Sequence, residues 1–339
     1  DWQVADLPDD LLSRRVEITG PINDTKMVIN MLSRTDSGDR ADAAMLDFED
    51  AMKPSWANVM QGLENLIGAA DGTLSFEKPA SNGAPAKQYR LNPDDMPLLM
   101  VRVRGLHLDD RHCRDGEGRA IAASIVDAAL YVTNNHEVLC QRGASIVLYL
   151  PKIQTAEEAA LWHEILTALE RHLGLDEATI KVYVLVEQLE ATFQLMEIRA
   201  ALGRRFIGYN TGRWDYINSV SDALAWDPEF VNPDIESIIM TYGYMRNYED
   251  RVRRAVNTPD INGRFALWQG GMEPNIPVGS PAGVEAGMKK AVAGGEREER
   301  DRRGYERVPE SVEDLAVWEK VAEAYPYLEM KGIDWDQVG

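Results

Sequence analysis

Lys181-Val-Tyr-Val-Leu-Val-Glu187 joins five consecutive apolar residues to one carboxylate, and this pattern decides the fold. An uninterrupted apolar run of this length is typical of a strand buried on both faces of a parallel sheet. Ile146-Val-Leu-Tyr-Leu150 repeats it, and Tyr209-Asn-Thr-Gly-Arg-Trp-Asp215 again ends on a carboxylate. If the two acidic runs form neighbouring parallel strands, Glu187 and Asp215 emerge at the same edge of one sheet.

Similar runs recur along the chain with helical patterns between them, as expected of a parallel α/β sheet. Thr155-Ala-Glu-Glu158 is a capping box that starts a helix reaching about His172, and Gly174 ends this helix. Further helices are predicted over 188–202 and from 311 to about 325. The predicted strands are 16–19, 44–48, 98–104, 145–150, 180–186, 205–209 and 264–268.

Seven strands with room for an eighth predict a (β/α)8 TIM barrel, and an open doubly wound sheet is the alternative. Residues 1–310 are assigned to the barrel and 311–339 to a C-terminal helix and tail. Residues 71–95 are predicted to be an insertion or small hairpin, because they are rich in Gly, Pro, Ser, Asn and Lys. The mixed-charge run 294–307 is predicted to be solvated.

The composition argues against several classes of partner. Acidic residues outnumber basic ones by 56 to 36, and a net charge of −20 disfavours nucleic acid and anionic membranes. No apolar stretch is long enough to predict a membrane span. Cys113 and Cys140 lie in no metal or redox motif, so we expect reduced thiols in a cytoplasmic protein. The oligomeric state stays open.

Charged residues follow five of the predicted strands, where a barrel keeps its active site. Asp47 and Glu49 follow the second strand, and Arg102 lies in the third. These three are predicted to be catalytic. Glu187 and Asp215 are predicted to be metal ligands, because two unneutralised carboxylates repel and oxygen ligands suit Mg²⁺.

Each of these residues has a structural alternative. The acidic residues of 47–50 would cap the next helix, and Arg102 or Arg104 would form a structural ion pair with one of them. Lys152 would extend into solvent at the edge of the sheet. His107 has no partner His at metal-binding spacing, so a hydrogen-bonding role is favoured over a ligand role.

Other motifs are absent or ambiguous. The sequence contains no Gly-x-Gly-x-x-Gly, P-loop or Gly-x-Ser-x-Gly, so a dinucleotide fold, an NTPase and an α/β-hydrolase lack support. Trp268-Gln-Gly-Gly-Met272 is a Gly-rich turn that either lets backbone N–H groups approach a ligand or is a plain tight turn.

Six motifs, in order along the chain, closely resemble the A-type branch of malate synthase. They are Arg14-Arg-Val-Glu-Ile-Thr-Gly-Pro21, Lys26-Met-Val-Ile-Asn30, Asp47-Phe-Glu-Asp50, Arg102-Val-Arg-Gly-Leu-His-Leu108, Leu150-Pro-Lys152 and Gly212-Arg-Trp-Asp-Tyr216.

The resemblance implies a (β/α)8 barrel that condenses acetyl-CoA with glyoxylate and hydrolyses the thioester to give malate. The family's Mg²⁺-holding Glu and Asp fall on Glu187 and Asp215, and its active-site Arg falls on Arg102. The segment beside the acyl-CoA falls on Gly270, Gly271, Met272, Ile276 and Pro277.

The chain departs from the family pattern towards its C-terminus. Asp301-Arg-Arg-Gly-Tyr-Glu-Arg-Val-Pro309 replaces the family's last-strand motif, and 304–308 is predicted to be a shortened eighth strand. The family's helical domain, which supplies the catalytic base, is expected to be missing because the sequence ends at Gly339. Glu49, Asp334, Asp336 or a residue of another subunit would then remove the proton.

These observations predict a Mg²⁺-dependent enzyme that forms or cleaves a C–C bond between a 2-oxo acid and an acyl thioester, carried by coenzyme A or a carrier protein. A malyl-CoA-type lyase and a thioester hydrolase on the same metal site are alternatives. A malate-synthase-like binding protein without catalysis is the alternative of a different class.

Overall fold

The computed structural model describes residues 7–12, 16–35, 38–80, 85–239 and 242–270. Within these ranges the strands are β1 Glu17–Pro21, β2 Ala43–Asp47, β3 Ser75–Lys78, β4 Lys87–Arg90, β5 Leu98–Arg102, β6 Asp109–Arg114, β7 Ala120–Ala122, β8 Ile146–Leu150, β9 Ile180–Val186, β10 Phe206–Thr211 and β11 Leu267–Gln269. The α-helices are α1 Asp9–Leu12, α2 Thr25–Leu32, α3 Trp56–Ala70, α4 Ala123–Gln141, α5 Ala156–Leu173, α6 Leu195–Leu202, α7 Arg213–Leu224 and α8 Gly243–Asn257.

Seven strands form one parallel sheet whose spatial order, β1-β2-β5-β8-β9-β10-β11, follows the chain. Each predicted strand is present, with its ends within three residues of the predicted ones. The pairing aligns the carboxyl ends, because Asp47 lies opposite Arg102 and Thr211 lies opposite Val186. Side chains that follow the strands therefore converge on one edge, which we call the rim.

The two faces of the sheet are both buried, which explains the apolar runs. Along β8, Ile146, Leu148 and Leu150 pack in the large core between the sheet and the helices. Val147 and Tyr149 alternate with them and join a smaller core on the inner face. Successive side chains of a strand point to opposite faces, so a strand covered on both sides favours apolar residues at successive positions.

The sheet curls around its inner face. The Tyr149 hydroxyl contacts both carboxylate oxygens of Glu17, at 2.8 and 3.0 Å, although β2 and β5 separate their strands. In a flat sheet, three strand spacings would hold the two backbones about 14 Å apart with parallel side chains. The hydrogen bond therefore requires strong curvature of the sheet.

Helix α1 closes the amino end of this curved sheet, which we call the base. Asp10 accepts hydrogen bonds from the backbone N–H and the hydroxyl of Ser145, at 2.9 and 2.8 Å, just before β8 starts. Leu11 is buried in the inner core beside the strand residues. The base and the rim are thus opposite ends of the same sheet.

The strand order confirms the singly wound arrangement of a TIM barrel over seven strands. A doubly wound sheet reverses its strand order at a switch point, and no such reversal occurs in the described sheet. The predicted eighth strand at 304–308 lies outside the described residues, so a closed barrel is not shown. The helix at 311–325 and the domain boundary at 310 also lie outside them.

Two hairpins interrupt the alternation. Strands β3 and β4 pair antiparallel, which confirms the hairpin predicted within 71–95. Strands β6 and β7 form a second hairpin that the sequence analysis missed. No helix in the described part of the chain is long and apolar enough to cross a membrane.

The helix signals are partly confirmed. Thr155 caps α5 by accepting a hydrogen bond from the Glu158 N–H, and Gly174 ends this helix in the left-handed conformation. The helix predicted over 188–202 is wrong in its first half, because a 3-10 turn at Glu190–Phe193 precedes α6. Gln194 interrupts the helix, and its side chain accepts a hydrogen bond from the Ala156 N–H.

Candidate functional site

Asp47 and Arg102 form a fully buried, two-pronged ion pair at the rim. Arg102 Nε and Nη2 donate to Asp47 Oδ1 and Oδ2 at 2.8 and 2.7 Å. Asp47 also accepts hydrogen bonds from the backbone N–H groups of Glu49 and Ala51, both at 2.9 Å. The predicted structural ion pair therefore holds for Asp47, which fixes the plane of the guanidinium. The predicted capping role does not hold, because Ser55 caps the next helix, α3, and Asp47 bonds instead to N–H groups of the turn after β2.

The remaining edge of the Arg102 guanidinium points towards two more carboxylates. Nη1 lies 3.3 Å from Glu49 Oε2 and 3.6 Å from Asp50 Oδ2. Burial lowers the pKa of Arg102, but these acids and Asp47 outweigh burial and raise it above its ordinary value. Arg102 is thus a permanent cation with one edge directed at the other acidic residues of the rim.

Lys152 lies at the centre of a group of four carboxylates, which we call the acidic cluster. Its Nζ is 2.9 Å from Asp215, 3.2 Å from Glu49, 3.3 Å from Glu187 and 3.8 Å from Asp50. Only 16% of the side chain is exposed. The structure therefore does not show the predicted extension of Lys152 into solvent.

The backbone of Lys152 is also tied to the acidic cluster. Its N–H donates to Glu187 Oε1 at 2.7 Å. Its φ of 56° is in the left-handed region, which an unbranched side chain tolerates at a cost of about 1 kcal/mol or more. This turn after β8 directs the lysine side chain back over the rim.

Glu187 follows β9 and is 1% exposed. Its Oε2 atom has no hydrogen-bond partner among the described residues. Gly212, which follows β10, makes room for it, because a Cβ at that position would lie 2.7 Å from Glu187 Oε2. The predicted ligand Glu187 is therefore a buried carboxylate with one uncommitted oxygen.

Asp215 lies in the first turn of α7, where the helix dipole favours a negative charge. Its side chain is 37% exposed, and its Oδ2 accepts a hydrogen bond from Lys152 Nζ. The loop after β10 and the end of β9 thus bring Asp215 and Glu187 to the same nitrogen, as their positions in the sequence predict.

Burial changes the acidity of two carboxyl groups in the acidic cluster. It raises the pKa of Glu187 to about 8, with Glu49 and Asp215 adding to the rise and Lys152 opposing it. It raises the pKa of Glu49 to about 7, against the opposing charges of Arg102 and Lys152. Burial lowers the pKa of Lys152, but Glu187, Glu49 and Asp215 outweigh it, so this ammonium stays charged.

The donor atoms of the acidic cluster fit a hard divalent cation. Within the described residues, no three His, Cys, Asp or Glu side chains are grouped closely enough to hold a metal by themselves. Mg²⁺ is commonly held by one or two carboxylates, with water and substrate oxygens completing its shell. Glu187 and Asp215 supply such a pair, and Glu187 Oε2 is the uncommitted buried oxygen that such an ion would satisfy.

Two predicted rim residues lie outside the acidic cluster. Arg104 pairs with Asp127 of α4 and with Asp110, at 2.7 and 3.0 Å, and not with the acids of 47–50 as one alternative held. His107 is exposed, and its ring lies against Gly105. Arg104 is therefore structural, since it joins the β5 loop to α4.

The predicted acyl-CoA segment lies almost wholly outside the described residues. Gly270 directly follows β11 in the described part of the chain. Gly271, Met272, Ile276 and Pro277 fall outside it, as do Asp334 and Asp336. Their roles stay predictions.

Two contributors to the site escaped the sequence analysis. The central position of Lys152 depends on the convergence of four loops, so no local pattern reveals it. Tyr248 of α8 donates a hydrogen bond to the carbonyl of Val186, next to Glu187, and stacks on Tyr216 at 4.1 Å. The long separation in sequence between Tyr248 and β9 leaves no signal for this support.

Comparisons with known proteins place the chain in a family. The family model for the malate synthase TIM barrel domain matches residues 98–306. Malate synthase A of Escherichia coli (strain K12) is 40% identical over 277 residues, which are 82% of this chain and 49% of that protein. Malate synthase of Myxococcus xanthus (strain DK1622) is 40% identical over 294 residues, which are 86% of this chain and 51% of that protein.

The likeness extends to solved structures. The magnesium/glyoxylate complex of Haloferax volcanii malate synthase superposes with a TM-score of 0.54 at 14% identity, covering 86% of this chain and 68% of that one. At that identity the likeness shows the fold alone. The chain spans about half the length of the curated relatives named above. By the match to its barrel domain and by these identities, the chain belongs to the malate synthase family.

Proposed function

We propose that this chain provides the barrel part of a Mg²⁺-dependent enzyme that joins an acetyl-CoA-like thioester to a glyoxylate-like 2-oxo acid. The observation that carries the proposal is the placement of Arg102 and the Glu187–Asp215 pair on either side of Glu49 at one rim. A cationic donor group and an oxygen-lined cation site then face the same space above the strands.

Glu187 and Asp215 would hold the Mg²⁺. When bound there, the ion would supply Lewis acidity and a template for the carboxylate and carbonyl oxygens of the 2-oxo acid. Asp215 is partly exposed and Glu187 is buried, so the pair would leave the solvent side of the ion open to the substrate.

Arg102 would stabilise negative charge on the carbonyl oxygen as the new bond forms. Its orientation does not rely on the substrate, because Asp47 holds two of its nitrogens before anything binds. Donor groups fixed in advance stabilise the transition state without reorganisation at the moment of reaction. Asp47 is therefore a positioning residue that acts through Arg102.

Glu49 is the described carboxyl group that we assign to proton transfer. Its pKa of about 7 suits a group that both accepts and releases protons near neutrality. In the reaction, a proton leaves the thioester methyl group, the resulting carbanion attacks the 2-oxo carbon, and the oxyanion takes up a proton. Water then cleaves the thioester to give the hydroxy acid and the free thiol.

The test is mass-spectrometric turnover of the chain with Mg²⁺, acetyl-CoA and glyoxylate, beside a reaction with malyl-CoA alone. Malate and CoA from the first mixture support the proposal. If the first mixture gives no malate, glyoxylate and acetyl-CoA from malyl-CoA would instead identify a lyase, and malate and CoA from malyl-CoA would identify a hydrolase. Calorimetric titration of glyoxylate with and without Mg²⁺ tests substrate binding independently of the proton acceptor.

Asp215→Asn and Glu187→Gln should abolish Mg²⁺ binding and Mg²⁺-dependent glyoxylate binding while the fold is kept. Asp222→Asn is the matched control, because Asp222 lies on the same helix and its side chain bonds only to Asn218 in the described contacts. Binding that survives in both site variants would contradict the metal assignment.

A further inference from the structure

We propose that the Lys152 ammonium is the resident counter-charge of the acidic cluster, and that it leaves the Glu187–Asp215 pair when a divalent cation enters. The inference rests on the proposed function, because it takes these two carboxylates as the metal ligands. It adds a competition between a side chain of the protein and the metal for the same two carboxylate groups.

The first observation is that Lys152 fills the position a metal would need. Its Nζ contacts Glu187 Oε1 at 3.3 Å and Asp215 Oδ2 at 2.9 Å. Carboxylates this close repel one another unless a cation lies between them. The ammonium and a metal ion cannot both occupy that position.

The second observation is that the two carboxylate oxygens of Glu187 differ in their contacts. Its Oε1 accepts the Lys152 backbone N–H at 2.7 Å, whereas its Oε2 is buried without a hydrogen-bond partner among the described residues. The backbone contact holds the carboxylate in place whether or not the ammonium stays. A cation can therefore bind Oε2 while only the lysine side chain moves.

The third observation is that two other carboxylates could pair with the Lys152 ammonium after it leaves Glu187 and Asp215. Glu49 and Asp50 already lie 3.2 and 3.8 Å from Nζ, on the side of the ammonium that faces Arg102. The Asp50 side chain is 57% exposed, so this direction leads towards solvent. The flexible four-carbon stem of lysine allows a shift of its charge without a change in the backbone.

Two consequences follow from this exchange. The ammonium prevents the empty site from being destabilised by unpaired carboxylates, and it weakens metal binding because the metal must displace it. Replacement of Lys152 by an apolar side chain should separate the two effects. The metal-free protein should become less stable, and the metal should bind more tightly.

The experiment is calorimetric titration of MgCl₂ into the wild-type chain, Lys152→Met and Lys53→Met, with thermal unfolding of each in EDTA and in Mg²⁺. Lys53 is the matched control, because it follows β2 in the chain and its side chain is exposed. We expect Lys152→Met to bind Mg²⁺ roughly tenfold more tightly, as removal of a nearby like charge predicts. Its unfolding temperature should fall in EDTA and rise more than that of the wild type when Mg²⁺ is added.

Equal or weaker Mg²⁺ binding by Lys152→Met than by the wild type would overturn the proposal and leave the metal site intact. Absence of Mg²⁺ binding in every protein would instead overturn the proposed function, and the exchange with it. Amine acylation of the wild-type chain provides a readout that needs no variant. Mg²⁺ should increase the labelling of Lys152 relative to Lys53, and unchanged or reduced labelling would count against displacement.

Discussion

Asp47 and Arg102 end neighbouring strands, stand opposite each other in the register, and join through two parallel hydrogen bonds. The pairing of the strands therefore determines the direction of the Arg102 guanidinium at the rim. Since the strands are rigid, Arg102 can serve a reaction without being ordered by a substrate.

Arg102→Lys should lower kcat/KM by about 100-fold or more, because lysine cannot reproduce the planar two-pronged contact or keep a donor in the same direction. The loss corresponds to roughly 3 kcal/mol of transition-state stabilisation, as for other oxyanion-stabilising donors. Steady-state kinetics with glyoxylate and acetyl-CoA provides the measurement. A rate within threefold of the wild type would show that Arg102 is structural.

Asp47→Asn should lower the free energy of unfolding by about 3–5 kcal/mol, because it leaves the Arg102 charge buried and poorly compensated. Urea denaturation measures this change. Asp50→Asn is the matched control, since Asp50 is largely exposed and 3.6 Å from the same guanidinium. If both substitutions lowered the free energy of unfolding equally, burial of the Asp47–Arg102 pair would not be the cause of the loss.

The metal-free protein should lose stability as the pH rises through the pKa values of Glu49 and Glu187. The folded-state pKa values of Glu49 and Glu187, about 7 and about 8, lie above their ordinary value near 4.5. The folded state therefore binds more protons than the unfolded state between these limits, and stability falls with pH there. Their contribution is complete below about pH 4.5 and lost above about pH 8.

Glu187→Gln should flatten this decline, because glutamine does not titrate. Urea denaturation in EDTA between pH 5 and 9 compares the variant with the wild type, whose other carboxylates are unchanged. A slope that is the same in both proteins would mean that Glu187 is already ionised near pH 5.

Gly212→Ala should weaken Mg²⁺ binding, because the added Cβ would lie 2.7 Å from Glu187 Oε2 and 2.8 Å from its Cβ. The φ of Gly212, −100°, suits alanine, so the effect is steric and not one of backbone strain. Gly116→Ala is the control, since nothing lies within 4 Å of the position its Cβ would take. The measurement is calorimetry with MgCl₂. The same affinity in both variants would show that Glu187 can shift without weakening Mg²⁺ binding.

The sequence predicted most of the fold and of the cluster for a simple physical reason. Parallel strands buried on both faces leave apolar runs such as 146–150, and side chains after them must share one edge. The convergence of Glu187, Asp215, Arg102 and Glu49 on the rim was predicted in this way, because it depends on where each residue stands relative to the end of a strand.

What the sequence did not predict depends on contacts between distant loops. Lys152 follows a strand like the others, but its place among four acids depends on the left-handed turn at its own backbone. The partners of Arg104 lie on a hairpin and on a helix, and the pattern of apolar residues along the chain does not show that these elements contact Arg104. The break at Gln194 arises from a side-chain contact with the start of α5.

Helix α1 at the base has a practical consequence for anyone who attaches this protein to a surface. Asp10 and Leu11 lie at the amino end of the strands, so this helix and the acidic cluster are at opposite ends of the sheet. Attachment through α1 itself would therefore leave the rim facing the solution, where soluble ligands and added metal reach it directly.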